Sequence, residues 1–184
     1  MVDGLGAQPV IADVTGDPDT LQDVFQGAEI VINAASAAGP DPAVVAMIDR
    51  EGAITAIRAA ERAGVRRYVQ LSAMFSDAPD QGDPLIRSIL VAKQVSDTVL
   101  RRSSLTWTVV RSGTLTDEPG AGRVTVAEHL RSGRVSREDV AAVAVAALTE
   151  SATECRGFDV HGGDQAIRLA LATLGRSMNP RNYG

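Results

Sequence analysis

The chain has little thiol, little aromatic surface and almost no lysine: one Cys, six aromatic side chains and one Lys among 184 residues. A single cysteine excludes an internal disulfide framework and suits a reducing compartment, so the cytoplasm is the expected location. Cys155, His129 and His161 lack the close spacing of a ligand cluster, and no metal site is expected from them. His129 reads as an exposed residue after a polar loop and His161 as a turn residue. Basic residues are outnumbered, 18 against 23 acidic, and the net charge of −5 speaks against a phosphate-neutralising surface for nucleic acid. The basic doublets Arg66-Arg67 and Arg101-Arg102 each end a helical pattern, where cations complement the helix dipole. Long apolar runs are also missing. Val140 to Leu148, nine residues, is less than half of the ~20 needed to cross a bilayer. The opening residues, Met1 to Gly6, show neither the charged nor the apolar region of a secretory signal. What remains, 45% hydrophobic and 22% charged residues, is the composition of one ordinary globular domain.

Segments of two periods alternate along that domain. Pro9 to Val14 reads as a short strand, and Asp17-Pro18 as the cap and first turn of a helix that Gly27 follows. Glu29 to Ala35 is a compact apolar run suited to a strand covered on both faces. Pro42 opens a long helix with Val44, Ile48, Gly52, Thr55, Ala59 and Ala63 as its inward stripe, and Gly64 ends it. Arg67 to Ser72 reads as a strand, Leu85 to Arg102 as a helix and Thr106 to Arg111 as a strand. A Gly/Thr/Pro loop follows, with a short extended piece ending at Val135. Ser136 with Asp139 resembles a capping box before a helix to about Leu148. Gly157 to His161 reads as a last strand and Asp164 to Leu174 as a last helix. The domain is expected over residues 1–176, with a flexible tail over 177–184. Strands alternating with helices imply βαβ units, hence an α/β fold with a parallel sheet and helices on both faces.

In such a sheet, ligands bind beyond the carboxyl ends of the strands. That rule selects Asp13 and Val14, Asn33 to Ser36, Ser72 to Met74, and Arg111 to Thr116, all small or polar. Small residues also suit tight turns, and it is the recurrence at four strand ends that points to a nucleotide crevice.

The run IADVTGDPDTL, VINAAS, AERAGVRRYVQLSA, VAKQVSD, TVVRSGTLTDEPGAGRV and VSREDVAAV resembles the atypical or extended short-chain dehydrogenase/reductases. The similarity includes the NmrA-like proteins and the flavin and biliverdin-IXβ reductase-like proteins, and it spans roughly residues 7 to 170. The resemblance implies a Rossmann-type doubly wound sheet and NAD or NADP as cofactor. It places the adenine at Asp13 and Val14, the adenosine ribose and phosphates at Ala34 and Ala35 beside Asn33 and Ser36, and the nicotinamide ribose at Ser72 and Ala73. Lys93 would donate to that ribose, and Arg111, Ser112, Gly113, Thr114 and Leu115 would flank the nicotinamide. Ser72 and Lys93 are the implied catalytic pair. Lys93 also stands out by composition, because every other basic position is arginine.

Two departures bear on activity. The tyrosine that these dehydrogenases carry four residues before the lysine is Ile89 here, and Tyr68 and Tyr183 lie off this helix. The family's Arg-Pro-Gly turn reads Arg111-Ser112-Gly113. In addition, no glycine-rich phosphate loop follows a first strand, since Gly4-Leu5-Gly6 precedes it, so the sheet is expected to be incomplete at the N-terminus and cofactor binding to be weakened. An incomplete sheet leaves Ile30 to Ala34 as a bare edge open to pairing with another copy. The sequence supports an oxidoreductase or epimerase-like enzyme acting on a small molecule. It leaves open a non-catalytic NmrA-like module that senses a nucleotide or binds a protein.

Overall fold

The computed structural model describes residues 6–37 and 39–175. Residues 177–184, expected as a tail, lie outside the described residues. Helix α1 (Pro18–Phe25) starts where the Asp17 carboxylate accepts from the amide of Asp19, and Gly27 at φ +81° turns the chain beyond it. Strand β1 (Ile30–Asn33) follows. The long helix is interrupted: α2 (Pro42–Val45) passes through a π-helical turn (Ala46–Gly52) into α3 (Ala53–Arg62). Gly64 at φ +75° ends it. Then come β2 (Arg67–Ala73), α4 (Arg87–Arg101), β3 (Thr106–Ser112), β4 (Thr114–Thr116), β5 (Arg123–Ala127) and β6 (Arg134–Ser136). The chain continues through α5 (Arg137–Ala147), β7 (Arg156–Gly162), β8 (Gln165–Ala166) and α6 (Ile167–Thr173).

The main sheet runs β1-β2-β3-β7-β5-β8, and β4 pairs with β6 in a separate parallel ribbon. Strands β1, β2, β3 and β7 are parallel, while β5 runs antiparallel to both of its neighbours. Register sets the two faces. Tyr68, Val109 and Trp107 pack under α3 and α4 with Ile57, Ala60 and Leu100. Val69, Val110, Phe158 and Val160 pack under α5 and α6 with Val143, Ala147 and Leu171. Helices therefore cover both faces, as the βαβ pattern requires.

Three expectations need correction. Pro9 to Val14 forms no strand: residues 9–13 are exposed and Val14 enters a turn, with no neighbouring strand among the described residues to take up the backbone groups. Its one anchor is Val14, which packs on the helix where a methyl group at Gly52 would lie 2.9 Å from Val14 Cγ2. The buried positions of the long helix are Val45, Asp49, Gly52, Ala53, Ala56, Ile57, Ala59 and Ala60, so Gly52 and Ala59 hold as expected while Val44 and Ile48 give way to their C-terminal neighbours. The π turn inserts an extra residue and rotates the face, which a constant period of 3.6 does not anticipate. Finally, β4 is a short strand inside Ser112 to Gly122, the segment expected as a loop, β5 is an antiparallel strand just beyond it where no strand was expected, and β8 occupies the start of the segment expected as the last helix.

Candidate nucleotide site

The carboxyl ends of β1, β2 and β3 lie side by side, with Asn33 opposite Gln70 and Ser72 opposite Arg111 in register. At about 4.8 Å between strands, these three ends span roughly 10 Å of rim. Asn33, Ser72 and Arg111 are thus brought together. Asp13 is not on a strand. It is exposed and accepts 2.8 Å hydrogen bonds from the amide and hydroxyl of Thr15, which hold its carboxyl below the usual range. Val14 keeps it beside the π turn, one helical turn from Asp49.

The crest of the rim is built from backbone and small side chains. Ala34, Ala35 and Ser36 are exposed after β1, Ala73 is half-buried, Ser112 and Gly113 are half-buried, and Thr114 and Leu115 are exposed. Gly113 is fixed there for a steric reason: a Cβ would lie 2.3 Å from the Gly133 carbonyl oxygen. The crossing is sealed by Gly113 N–H donating to Val160 and Thr114 N–H donating to Gly133.

Beneath the crest the polar side chains serve one another. Asn33 is buried, donates to Gln70 Oε1 and accepts from the Ala35 amide, which shapes the turn after β1. Lys93, 10% exposed, sits 3.0 Å from the fully buried Asp49 carboxylate, and its Nζ is 3.4 Å from the Leu71 carbonyl. Asp49 also accepts from Ser36 Oγ at 2.6 Å and from the Ala37 amide at 2.9 Å. One carboxylate therefore ties the sole lysine to the loop after β1. Ser72 points under α4, where its hydroxyl donates to Asp97 Oδ2 at 2.7 Å, and Ser76 donates to the same oxygen at 3.1 Å. Burial raises the Asp97 carboxyl above its usual range, against the hydrogen bond from Ser72, the charge of Lys93 and the hydrogen bond from Ser76. Tyr68 is wholly buried and its phenol is pushed up by that burial, so it offers no acid at the rim.

Arg111 is 2% exposed and points onto the sheet face under α4, away from the crest. Its Nε donates to Asp159 at 2.6 Å, Nη1 lies 3.4 Å from Asp77, and Nη2 donates to the Glu128 carbonyl. Sequence reasoning missed Asp49 and Asp97. Both are acidic residues at inward helix positions, Asp97 one turn after Lys93, and a buried charge facing a sheet was the available signal. Ser136 and Asp139 do form the expected cap, and Asp139 also accepts from the Ala121 and Gly122 amides, anchoring the loop before β5.

The NAD(P)H-binding family model matches residues 2–151. The uncharacterized sugar epimerase YhfK of Bacillus subtilis is 35% identical over 176 residues, covering 94% of this chain and 81% of that protein. The oxidoreductase ylbE of Lactococcus lactis superposes with a TM-score of 0.82 at 26% identity, covering 91% of this chain and 77% of that one. A solved structure from Bacillus halodurans gives a TM-score of 0.81 at 34% identity, with 92% and 77% covered. The parallel sheet, the small-residue rim and these similarities agree, and the chain belongs to the NAD(P)H-binding family of Rossmann-type domains.

Proposed function

We propose that the protein is a nicotinamide-dependent oxidoreductase or epimerase-like enzyme acting on a small molecule, with NAD(P) lying along the ends of β1, β2 and β3. The observation that carries this reading is the Lys93–Asp49–Ser36 chain. A buried ion pair is costly to maintain unless its geometry is fixed by further hydrogen bonds, and here the third partner is the loop that faces the nucleotide. In this reading Asp13 and Val14 meet the adenine edge, and Asn33 to Ser36 present backbone to the ribose and phosphates. Ala73, Ser112, Gly113, Thr114 and Leu115 border the nicotinamide. Lys93 directs its ammonium toward the ribose from the Asp49 side. Bound NAD(P) supplies or accepts the hydride; the chain's own contribution is to orient it.

Ser72 and Arg111 take positioning roles. The Ser72 hydroxyl is committed to Asp97 and fixes α4 against the end of β2, while Arg111 ties β3 to β7 through Asp159. With Ile89 in place of a rim tyrosine, a proton for the substrate comes from solvent, or none is needed when the acceptor is a flavin. The working location is the cytoplasm, and β1, paired only with β2 among the described residues, offers an edge for a second copy.

Titrating NADH and NADPH while following nicotinamide fluorescence tests the reading. Saturable binding of at least one of the two is expected. Absence of saturation with either dinucleotide refutes it.

A further inference from the structure

A cavity of about 670 Å³, within the range of about 300–1,000 Å³ usual for small-molecule pockets, has Asp77, Arg111, Glu128 and His129 along one end. Three segments meet beside that end. The Met74 amide donates to the Ser112 carbonyl, and a Cβ on Gly113 would lie 3.5 Å from Met74 Sδ and 2.3 Å from the Gly133 carbonyl oxygen. The loop after β2 folds back at Phe75, φ +67°, so Asp77 stays within three residues of this junction. His129 reaches it from the other side, four residues before Gly133. Spans of three and four residues cover at most about 10 and 14 Å.

His129 is held at three points although its side chain is 69% exposed. Before it, Arg111 Nη2 donates to the Glu128 carbonyl; after it, the Leu130 amide donates to Asp159 Oδ2 at 2.8 Å. Arg111 and Asp159 are buried and paired with each other at 2.6 Å, so one ion pair between β3 and β7 fixes the peptides on both sides of His129. The ring is the third point. Its Nδ1 lies 3.4 Å from Asp77 Oδ2, and the same oxygen lies 3.4 Å from Arg111 Nη1. Arg111 therefore orients the carboxylate as well as the loop. With Nδ1 turned toward Asp77, Nε2 is on the far side of the ring. A surface histidine needs no such support to be soluble, whereas a fixed backbone, an oriented ring and a free Nε2 are what a proton-transferring imidazole requires.

We propose that His129, positioned by Asp77, is the proton donor and acceptor of the enzyme, and that its substrate is a small aldehyde or ketone, or the corresponding alcohol, bound at this end of the cavity. The proposal rests on the reading that puts the nicotinamide along Ala73 and Ser112 to Leu115. In the reducing direction, hydride from the reduced nicotinamide bonds to the carbonyl carbon, the C=O π pair moves onto oxygen, and the imidazolium gives its Nε2 proton to that oxygen. The neutral imidazole keeps Nδ1–H toward Asp77 and recovers its Nε2 proton from water. The exposed ring thus relays the solvent proton that Ile89 cannot supply.

The chain has two histidines, so in the variant His161→Gln every imidazole signal belongs to His129. Nitrogen-15 NMR of this cofactor-free protein, with the ring neutral, is expected to show Nδ1–H as the major tautomer, the reverse of free histidine, and added Asp77→Asn is expected to move it toward Nε2–H. Kinetics give a second readout. Oxidation of NADH and NADPH is followed with 4-nitrobenzaldehyde, whose alkoxide must be protonated, and with FMN, which takes hydride at N5 and is protonated by water afterwards. His129→Gln, checked for folding by circular dichroism, is expected to lower the ratio of aldehyde rate to FMN rate about 100-fold. Asp77→Asn lowers the same ratio by less. A major Nε2–H tautomer indifferent to Asp77→Asn, or an aldehyde rate that His129→Gln slows no more than the FMN rate, overturns the proposal. Wild-type protein that reduces FMN but not the aldehyde also overturns it and leaves the nucleotide reading standing. Wild-type protein that reduces neither acceptor overturns that reading and the proposal with it, whatever the tautomer.

Discussion

Replacing Asp49 with alanine removes the centre of the polar chain under the rim, and its consequences can be worked from the contacts. Lys93 would keep a buried ammonium with only the Leu71 carbonyl near it, and the Ser36 hydroxyl and Ala37 amide would lose their acceptor. Deleting one member of a buried pair costs about 3 to 5 kcal/mol, chiefly because the remaining charge stays desolvated. For a domain of this size, that corresponds to a fall in Tm of roughly 10 °C. The companion variant Lys93→Met leaves a buried carboxylate still held by Ser36 and Ala37, so its loss is smaller. The double variant Asp49→Ala/Lys93→Met has no charge left to strand and should recover much of the stability. Urea unfolding followed by far-ultraviolet circular dichroism, arranged as a double-mutant cycle, is expected to show a coupling of about 2 kcal/mol. Additive losses, or a cost below about 1 kcal/mol for Asp49→Ala, would refute the view that the pair is desolvated and mutually dependent.

Asp97 gives a pH prediction with a definite sign. Burial raises its folded-state carboxyl, so the folded protein holds the proton more tightly than the unfolded chain does. The resulting stabilisation is fully present below the unfolded value and is lost as pH rises through the raised folded value. From about pH 4 upward, Tm of the wild type should therefore fall relative to that of Asp97→Asn; a flat or rising difference contradicts the burial argument. Gly113→Ala places a methyl 2.3 Å from the Gly133 carbonyl oxygen and should cost about 1–3 kcal/mol in urea unfolding while weakening dinucleotide binding. Unchanged stability would show that the crossing of the β3–β4 turn over Gly133 is looser than described. Ile30 and Ile32 are 44% and 38% exposed on the edge strand β1, so Ile32→Lys should reduce any concentration-dependent self-association seen by sedimentation. Identical sedimentation of the two proteins at all concentrations counts against pairing through this edge.

Most of the sheet was legible because buried strands and amphipathic helices leave strong periods in the sequence. Arg67 to Ser72, Thr106 to Arg111 and Gly157 to His161 all appear as strands within a residue or two. Pro9 to Val14 has the same apolar-rich, β-prone character and forms no strand, because a strand needs a neighbour and none is beside it among the described residues. Strand β5 was hidden for the converse reason. Arg123 to Ala127 is short and lies between glycines and polar residues, and only the free edge of β7 recruits it. The first part of the helix stripe was misjudged by one position, at Val44 and Ile48, while Gly52 and Ala59 are buried as expected; the π turn between leaves no mark in apolar spacing.

For the site, the sequence by itself determined the segments: the small residues after each strand, a lysine in the middle of α4, and the absence of a tyrosine four residues before it. These follow from local patterning and from which residue types a close nucleotide approach requires. Only the tertiary structure decided where the side chains point. Ser72, Lys93 and Arg111 all fall at the rim in sequence, yet the structure pairs them with Asp97, Asp49 and Asp159, residues 25, 44 and 48 positions away. Such pairings are set by register between strands and by helix rotation, neither of which a single segment encodes. A charge withdrawn from water is stable only where folding happens to bring its partner.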